Sequence, residues 1–313
     1  HPESDRDLGA VRGQEAARRA LEIAAAGGHH MLLIGSPGAG KTMLARALPS
    51  ILPPPSSEEA LEIATIASSA GLRSPSILFG RRRPFRAPHH TASAAAIVGG
   101  GEPVRAGELT LAHRGVLFLD ELPEFRRDAI ETLRTTMEEG EVVISRARQR
   151  VRLPAEPMVI AAMNPCPCGY HGDPTRFCRC GQHQIARYRS RVSGPLLDRF
   201  DLQVAVPRVS ARLMRKATPG EPSRAVQQRV EQARARLASS DESNSLESLT
   251  SNVSKEALTL LELGVERLKM SARAYLKALR VARTIAALDE AGEVLPAHTA
   301  EALQYRVLDR EPA

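Results

Sequence analysis

Met31-Leu32-Leu33-Ile34-Gly35-Ser36-Pro37-Gly38-Ala39-Gly40-Lys41-Thr42 reads as a short apolar run, a glycine-rich loop and the opening of a helix, in that order. The order carries the chemistry. A loop between a strand and a helix can turn backbone amides toward an anion at the helix N-terminus, where the peptide dipoles add positive potential. Gly35, Gly38 and Gly40 let amides converge on a β-phosphate, Lys41 neutralises β and γ oxygens, and the Thr42 hydroxyl can ligate magnesium. The pattern G-x-x-x-x-G-K-T is complete, so the stretch predicts a nucleoside-triphosphate site on an α/β framework.

Working outward, residues 13–26 read as a helix before the loop, and 42–48 as the helix after it. Pro53, Pro54 and Pro55 end the latter, because proline lacks an amide donor and clashes with the preceding turn. Ser56 with Glu59 forms a capping-box pattern that opens a helix to about Ala70. Val116 to Leu119 has the length and apolar content of a buried parallel strand, and it runs into Asp120 and Glu121. After a phosphate loop, such a pair has a division of labour: Asp120 holds magnesium through water and Glu121 polarises the attacking water. Residues 128–139 are helical, 142–153 a β-hairpin, and 158–163 another buried strand ending at Asn164, whose amide can orient the lytic water. Alternating strands and helices predict a parallel sheet covered on both faces. Beyond Pro207 the strands stop, and 223–237, 255–263, 272–291 and 296–305 read as helices, with a polar linker over 239–252. The expected organisation is therefore an α/β nucleotide-binding domain over 1–206 and an all-α domain over 207–313.

Two stretches do not suit a core. Residues 71–107 carry Arg81, Arg82, Arg83, the pair His89 and His90, and Gly99 to Gly101, and read as a surface insertion. In 146–152, Arg146, Arg148, Arg150 and Arg152 alternate with other residues, so a strand period of two sends them to one face. Unpaired guanidinium groups cannot be core. Such a face is a solvated strand edge or a grip on nucleic-acid phosphates.

Cys166, Cys168, Cys178 and Cys180 form C-x-C, nine residues, C-x-C, and Gly169 and Gly181 follow the two pairs. Four thiolates at this spacing predict a structural zinc site, with His171 and His183 as reserve ligands. Four thiolates leave no open position for water, which argues against a catalytic metal.

Composition narrows the partners. The 313 residues suffice for two domains with cores of their own. No stretch reaches the roughly 18 apolar residues that span a bilayer, so a cytoplasmic protein without membrane contact is expected. The chain starts at His1 and leads straight into a helical pattern, which reads as a fragment of a longer polypeptide. Net charge is +7, and only five of the 43 basic residues are lysines. Arginine favours planar, bidentate contact with phosphate, which suits a nucleic-acid partner. Aromatic residues make up 3% and Trp is absent, whereas a pore that grips peptides usually presents aromatics.

Together, Gly35–Thr42, Arg83-Pro84-Phe85-Arg86-Ala87-Pro88-His89-His90, Gly115 to Pro123, Ala161 to Gly169 and Ser193 to Asp201 resemble the magnesium chelatase-related AAA+ proteins of the ComM/YifB type. The resemblance implies a P-loop AAA+ core with a helix-2 insert at about 71–107 and a pre-sensor-1 hairpin at about 141–153, followed by a helical lid. It implies a hexameric ATPase that drives branch migration of DNA in recombination and natural transformation, with ATP and magnesium as cofactors. It also implies an N-terminal domain like a Lon-protease module outside this sequence. By motif it assigns Lys41, Thr42, Asp120, Glu121 and Asn164 to nucleotide and sensor roles, Arg199 of Leu196-Leu197-Asp198-Arg199-Phe200-Asp201 to the arginine finger, and Arg273, ahead of Arg280, to sensor 2. Insert and hairpin are expected to face the central pore. Two other activities share the core: protein remodelling coupled to a protease, and magnesium insertion into a porphyrin.

Overall fold

The computed structural model describes residues 7–72, 82–102, 104–146, 149–209, 215, 218–240, 246–306 and 308. They belong to two compact units, one made of His1–Pro53 with Phe200–Ala313 and the other of Pro54–Arg199. The first unit opens with α1 (Glu15–Gly27), β1 (Met31–Ile34) and α2 (Lys41–Ala47). Ala17 and every residue from Ala20 to Ala26 are buried, so the second half of α1 is covered all round, and Gly28, left-handed at φ 67°, ends it. All four residues of β1 are buried, as an apolar run without alternation requires.

The second unit runs α3 (Ser57–Ser69), β2 (Phe85–Arg86), α4 (Ala94–Val98), β3 (Gly99–Gly100), β4 (Arg105–Ala106), α5 (Glu108–Leu111), β5 (Val116–Leu119), α6 (Arg127–Glu139), β6 (Glu141–Arg146), β7 (Gln149–Pro154), β8 (Met158–Met163), α7 (Gln182–Arg189) and α8 (Gly194–Leu197). The capping box of α3 forms as its sequence predicts, with Ser56 Oγ accepting from Glu59 N and Glu59 accepting from Ser56 N. Such a cap is worth about 1 kcal/mol. Strand β5 lies between β2 and β8 and is parallel to both, with Phe85 opposite Val116 and Val116 opposite Met158. Its four residues and the six of β8 are buried.

The first unit resumes with β9 (Leu202–Ala205), α9 (Ser223–Ser240), α10 (Leu246–Thr250), α11 (Lys255–Leu268), α12 (Ala272–Leu288) and α13 (Pro296–Gln304). Strand β9 pairs parallel with β1, Met31 opposite Leu202. Leu249, Leu261, Ala278, Leu279 and Leu303 form a helical core, against which Val265, Met270 and Leu276 pack.

Parallel strands beside helices, followed by helices alone, agree with the expected fold class. Strands β2 and β9 are additions, short pieces whose partners are distant in sequence. The linker at 239–252 contains α10, and α11 runs to Leu268 rather than 263. No helix among the described residues is long and apolar enough to cross a membrane.

Candidate functional site

The phosphate loop joins the end of β1 to α2 in the first unit. Gly38 and Gly40 take φ of 77° and 94°, backbone that a side chain would strain. Gly35 is fixed by proximity, since a β-carbon there would collide with the Val206 carbonyl oxygen. Lys41 is buried and its Nζ donates to the carbonyls of Gly35, at 2.6 Å, and Ser36, at 3.2 Å. The ammonium is thus folded back onto carbonyls of its own loop. Gln14, which belongs to no motif, is 4% exposed and donates to the carbonyls of Ala39, at 3.0 Å, and Pro207, at 2.7 Å. It pins the loop to the chain that follows β9.

In the second unit, three parallel strands end in polar groups at the same side. Strand β5 delivers Asp120 and Glu121, and β8 delivers Asn164. Ligands of parallel α/β sheets bind at this carboxyl end. Glu121 sits in the left-handed region at φ 54° and ψ 46°, and its N–H donates to Asp120 Oδ1 at 2.9 Å. The third strand, β2, leads to His90, whose Nδ1 lies 2.9 Å from Glu121 Oε2. The His90 ring stands against His89, centroids 4.2 Å apart, and edge-on to Phe125 at 6.5 Å. The sequence offered surface roles for this histidine pair and gave no hint that His90 meets Glu121.

Arg199, just after α8, forms an ion pair with Glu138 near the end of α6, and Arg134 reaches the same carboxylate at 3.5 Å. Its side chain is 16% exposed, so the guanidinium is held rather than waving in solvent. Two residues on, in the first unit, Asp201 binds Lys277 Nζ at 2.7 Å and accepts from His30 N at 2.9 Å. Burial alone would raise this carboxyl, but Lys277 and the neighbouring His29 and His30 hold it down to about 2. Burial pushes His30 down to about 4 and lowers His29 as well. The ion pair ties α12 to the start of β9. Arg273, in the first turn of α12 one turn before Lys277, is exposed, as is Arg280.

The four cysteine sulfurs all lie within 4.8 Å of one another. Cys166 Sγ is 3.4 Å from Cys168 and 3.7 Å from Cys178, and Cys168 is 3.6 Å from Cys178. Thiolates about 2.3 Å from a tetrahedral zinc would be roughly 3.8 Å apart, so the donor set and its size fit that ion. The His171 amide donates to Cys166 Sγ at 3.3 Å, contributing backbone rather than ring. Among the described residues, neither His171 nor His183 joins the cluster.

The hairpin corrects the arginine face read from the sequence. Arg146 pairs with Gln149, so Arg146 belongs to β6 while Arg150 and Arg152 belong to β7, and no single alternation runs through all of them. Arg150 is exposed. Arg152 is 62% exposed and donates to Glu141 at 2.9 Å. The side chain of Arg146 and the whole of Arg148 lie outside the described residues. In the insert, Arg83 is committed bidentately to Glu59, at 3.2 and 2.7 Å, and Arg86 to Glu108, at 2.6 and 2.7 Å. Arg83 therefore builds the unit rather than offering charge to a partner, and Arg81 lies outside the described residues.

The model of magnesium chelatase, subunit ChlI, matches residues 7–214, and that of the subunit ChlI C-terminal region matches 220–306. The sequence is 45% identical to the uncharacterized protein YifB of Escherichia coli over 97% of this chain and 61% of that protein. It is 42% identical to the competence protein ComM of Haemophilus influenzae, over 97% of this chain and 60% of ComM. The chain thus spans about three fifths of these relatives. A weaker likeness, 28% identity over 56% of this chain, joins it to the probable DNA helicase MCM9 of Arabidopsis thaliana.

Proposed function

This chain belongs to the magnesium chelatase ChlI family, as an AAA+ protein of the ComM/YifB type, and we propose that it is the motor portion of a ring-shaped ATPase acting on DNA in the cytoplasm. The family implies ATP and magnesium. The finer reading is a hexamer that promotes branch migration in recombination and natural transformation. It is supported by the likeness to ComM, a competence protein, and by the weaker likeness to a probable DNA helicase.

In this reading the P-loop amides and Lys41 bind the phosphates. Thr42 and Asp120 hold magnesium, a hard cation suited to hydroxyl and carboxylate oxygens. Magnesium, when bound, neutralises charge on the β and γ oxygens. Glu121 draws the proton from the attacking water, Asn164 orients that water, and Arg199 of one subunit stabilises the transferring phosphoryl group held by its neighbour. Arg273 reports nucleotide to α12.

The observation that carries the DNA reading is chain continuity. Strand β7, with Arg150 and Arg152 exposed, passes through three residues into β8, whose end is Asn164. A change beside the γ-phosphate therefore has a direct path to a cationic strand. Binding through phosphates carries no sequence information, which suits a motor that must travel over any sequence. ATP turnover should rise with branched, duplex or single-stranded DNA, and the stimulation should weaken in Arg150→Ala. Removing one phosphate-binding arginine should flatten the salt dependence of log K by about 0.7 to 0.9. Stimulation by unfolded protein or by a porphyrin, with none by DNA, would replace this reading with remodelling or chelation.

The cysteine cluster, on the segment that follows Asn164, is read as structural zinc. Purified protein should hold about one zinc per chain, and Cys168→Ser should lose the metal and thermal stability before it loses ATP binding. Elemental analysis finding no zinc in protein prepared without chelator would refute the assignment.

A further inference from the structure

Phe177 is 90% exposed. Among the described residues it is the one exposed phenylalanine, in a chain that is 3% aromatic and has no Trp. Burying such a ring would stabilise the fold, and this loop forgoes that gain. Beside it, Arg176 lies 5.1 Å from the centroid of the Tyr170 ring and donates to the Tyr170 hydroxyl at 2.8 Å. Phe177, Tyr170, Arg176, Arg179 and Cys168 line one open cavity of about 470 Å³.

The loop is built rather than loose. Asp173 Oδ1 accepts from Thr175 N and Oγ1, both at 2.7 Å, and from Arg176 N at 3.1 Å, and the cysteine cluster closes the loop on both sides. Asp173 is the one acid between Pro165 and Gln182, and its carboxylate is turned onto backbone. The cavity thus offers an exposed ring and a cation-covered ring, with Arg176 and Arg179 beside them. Proteins hold unpaired nucleobases in this way, with a π-face for the base and guanidinium groups for the adjoining phosphate. In a duplex the faces of each base are covered by the base pairs stacked above and below it, so the fitting ligand is an unpaired, unstacked base.

We propose that Phe177, with Tyr170, Arg176 and Arg179, forms a stacking site for an unpaired base of single-stranded or junction DNA. The proposal rests on the DNA-motor reading. It adds an element that distinguishes separated strands from duplex on the chain segment that directly follows Asn164.

The test uses the full chain and measures affinity for a single-stranded oligonucleotide, an abasic strand of equal length, and a duplex. Phe177→Ala should weaken single-strand binding roughly 5- to 100-fold. It should leave the abasic strand and the duplex unchanged, and Phe177→Trp should restore binding. Because the chain has no other Trp, that variant also reports directly, and its fluorescence should be quenched by the single strand but not by the abasic one. Equal losses on base-bearing and abasic strands would overturn stacking. Unchanged single-strand affinity in Phe177→Ala, with DNA still stimulating ATP turnover, would overturn the site and leave the motor reading standing. A changed oligomeric state with unchanged DNA binding would make Phe177 a contact between copies and likewise overturn it. If the unaltered protein binds none of the DNA forms, the motor reading falls and takes the site with it.

Discussion

Arg199→Ala should lower ATP turnover about 10³-fold or more while nucleotide affinity stays within a few fold, because a finger arginine stabilises charge that develops only in the transition state. The structure gives this arginine an anchorage: its guanidinium pairs with Glu138, which Arg134 also approaches. Held on the helix α6 and largely shielded, it keeps a fixed direction, so little conformational freedom is lost when it meets a phosphoryl group. Glu138→Gln, which removes the anchoring carboxylate charge and leaves the arginine in place, should cost less, roughly 10-fold. Mixing Arg199→Ala protein with Glu121→Gln protein should recover activity at interfaces that join an intact finger to an intact glutamate. Turnover at the normal rate in Arg199→Ala, measured by phosphate release, would remove the finger from the mechanism.

The second large effect belongs to the opposite side of the same reaction. Glu121→Gln should cut turnover about 10² to 10⁴-fold, the usual contribution of a general base, and leave ATP bound and uncleaved. Its backbone already holds an uncommon conformation, and His90 occupies one carboxylate oxygen at 2.9 Å. With Oε2 engaged, the carboxylate has a set orientation. His90→Ala should therefore lower kcat about 10-fold with KM nearly unchanged, and His90→Asn, which can still donate, should restore part of the loss. A rise in DNA-free turnover in His90→Ala would instead make the contact a restraint on the glutamate.

What could be read from the sequence followed from locality. The strands at 31–34, 116–119 and 158–163 are continuous apolar runs, and their bounds coincide with β1, β5 and β8. Ser56 and Glu59 are three residues apart and cap α3 as expected. What could not be read depends on the third dimension. His90 and Glu121 meet because β2 and β5 are neighbours, and two residues of β2 are too few to announce a strand. Gln14 matters through carbonyls at 39 and 207. The arginine alternation misled because Arg146 and Arg150 lie on different strands of the hairpin, and because Glu141 claims Arg152 from another segment. Zinc chemistry was suggested by spacing alone, yet only sulfur separations could test its size.

The division of the chain also bears on how the protein is made. Unit Pro54–Arg199 is continuous, whereas the unit that carries the P-loop is assembled from two ends of the sequence. Within that unit β1 pairs with β9, Met31 opposite Leu202, across the whole inserted segment. A ribosome adding about 5 to 20 residues per second leaves an interval of roughly 10 to 30 s between them. Throughout it, Met31-Leu32-Leu33-Ile34, destined to be wholly buried, waits for β9 while the inserted unit can complete its own pairing of β2, β5 and β8. The loop Gly35–Thr42, which rests on Val206 and, through Gln14, on Pro207, is thereby completed late in synthesis, after the segment bearing Glu121 has had time to fold.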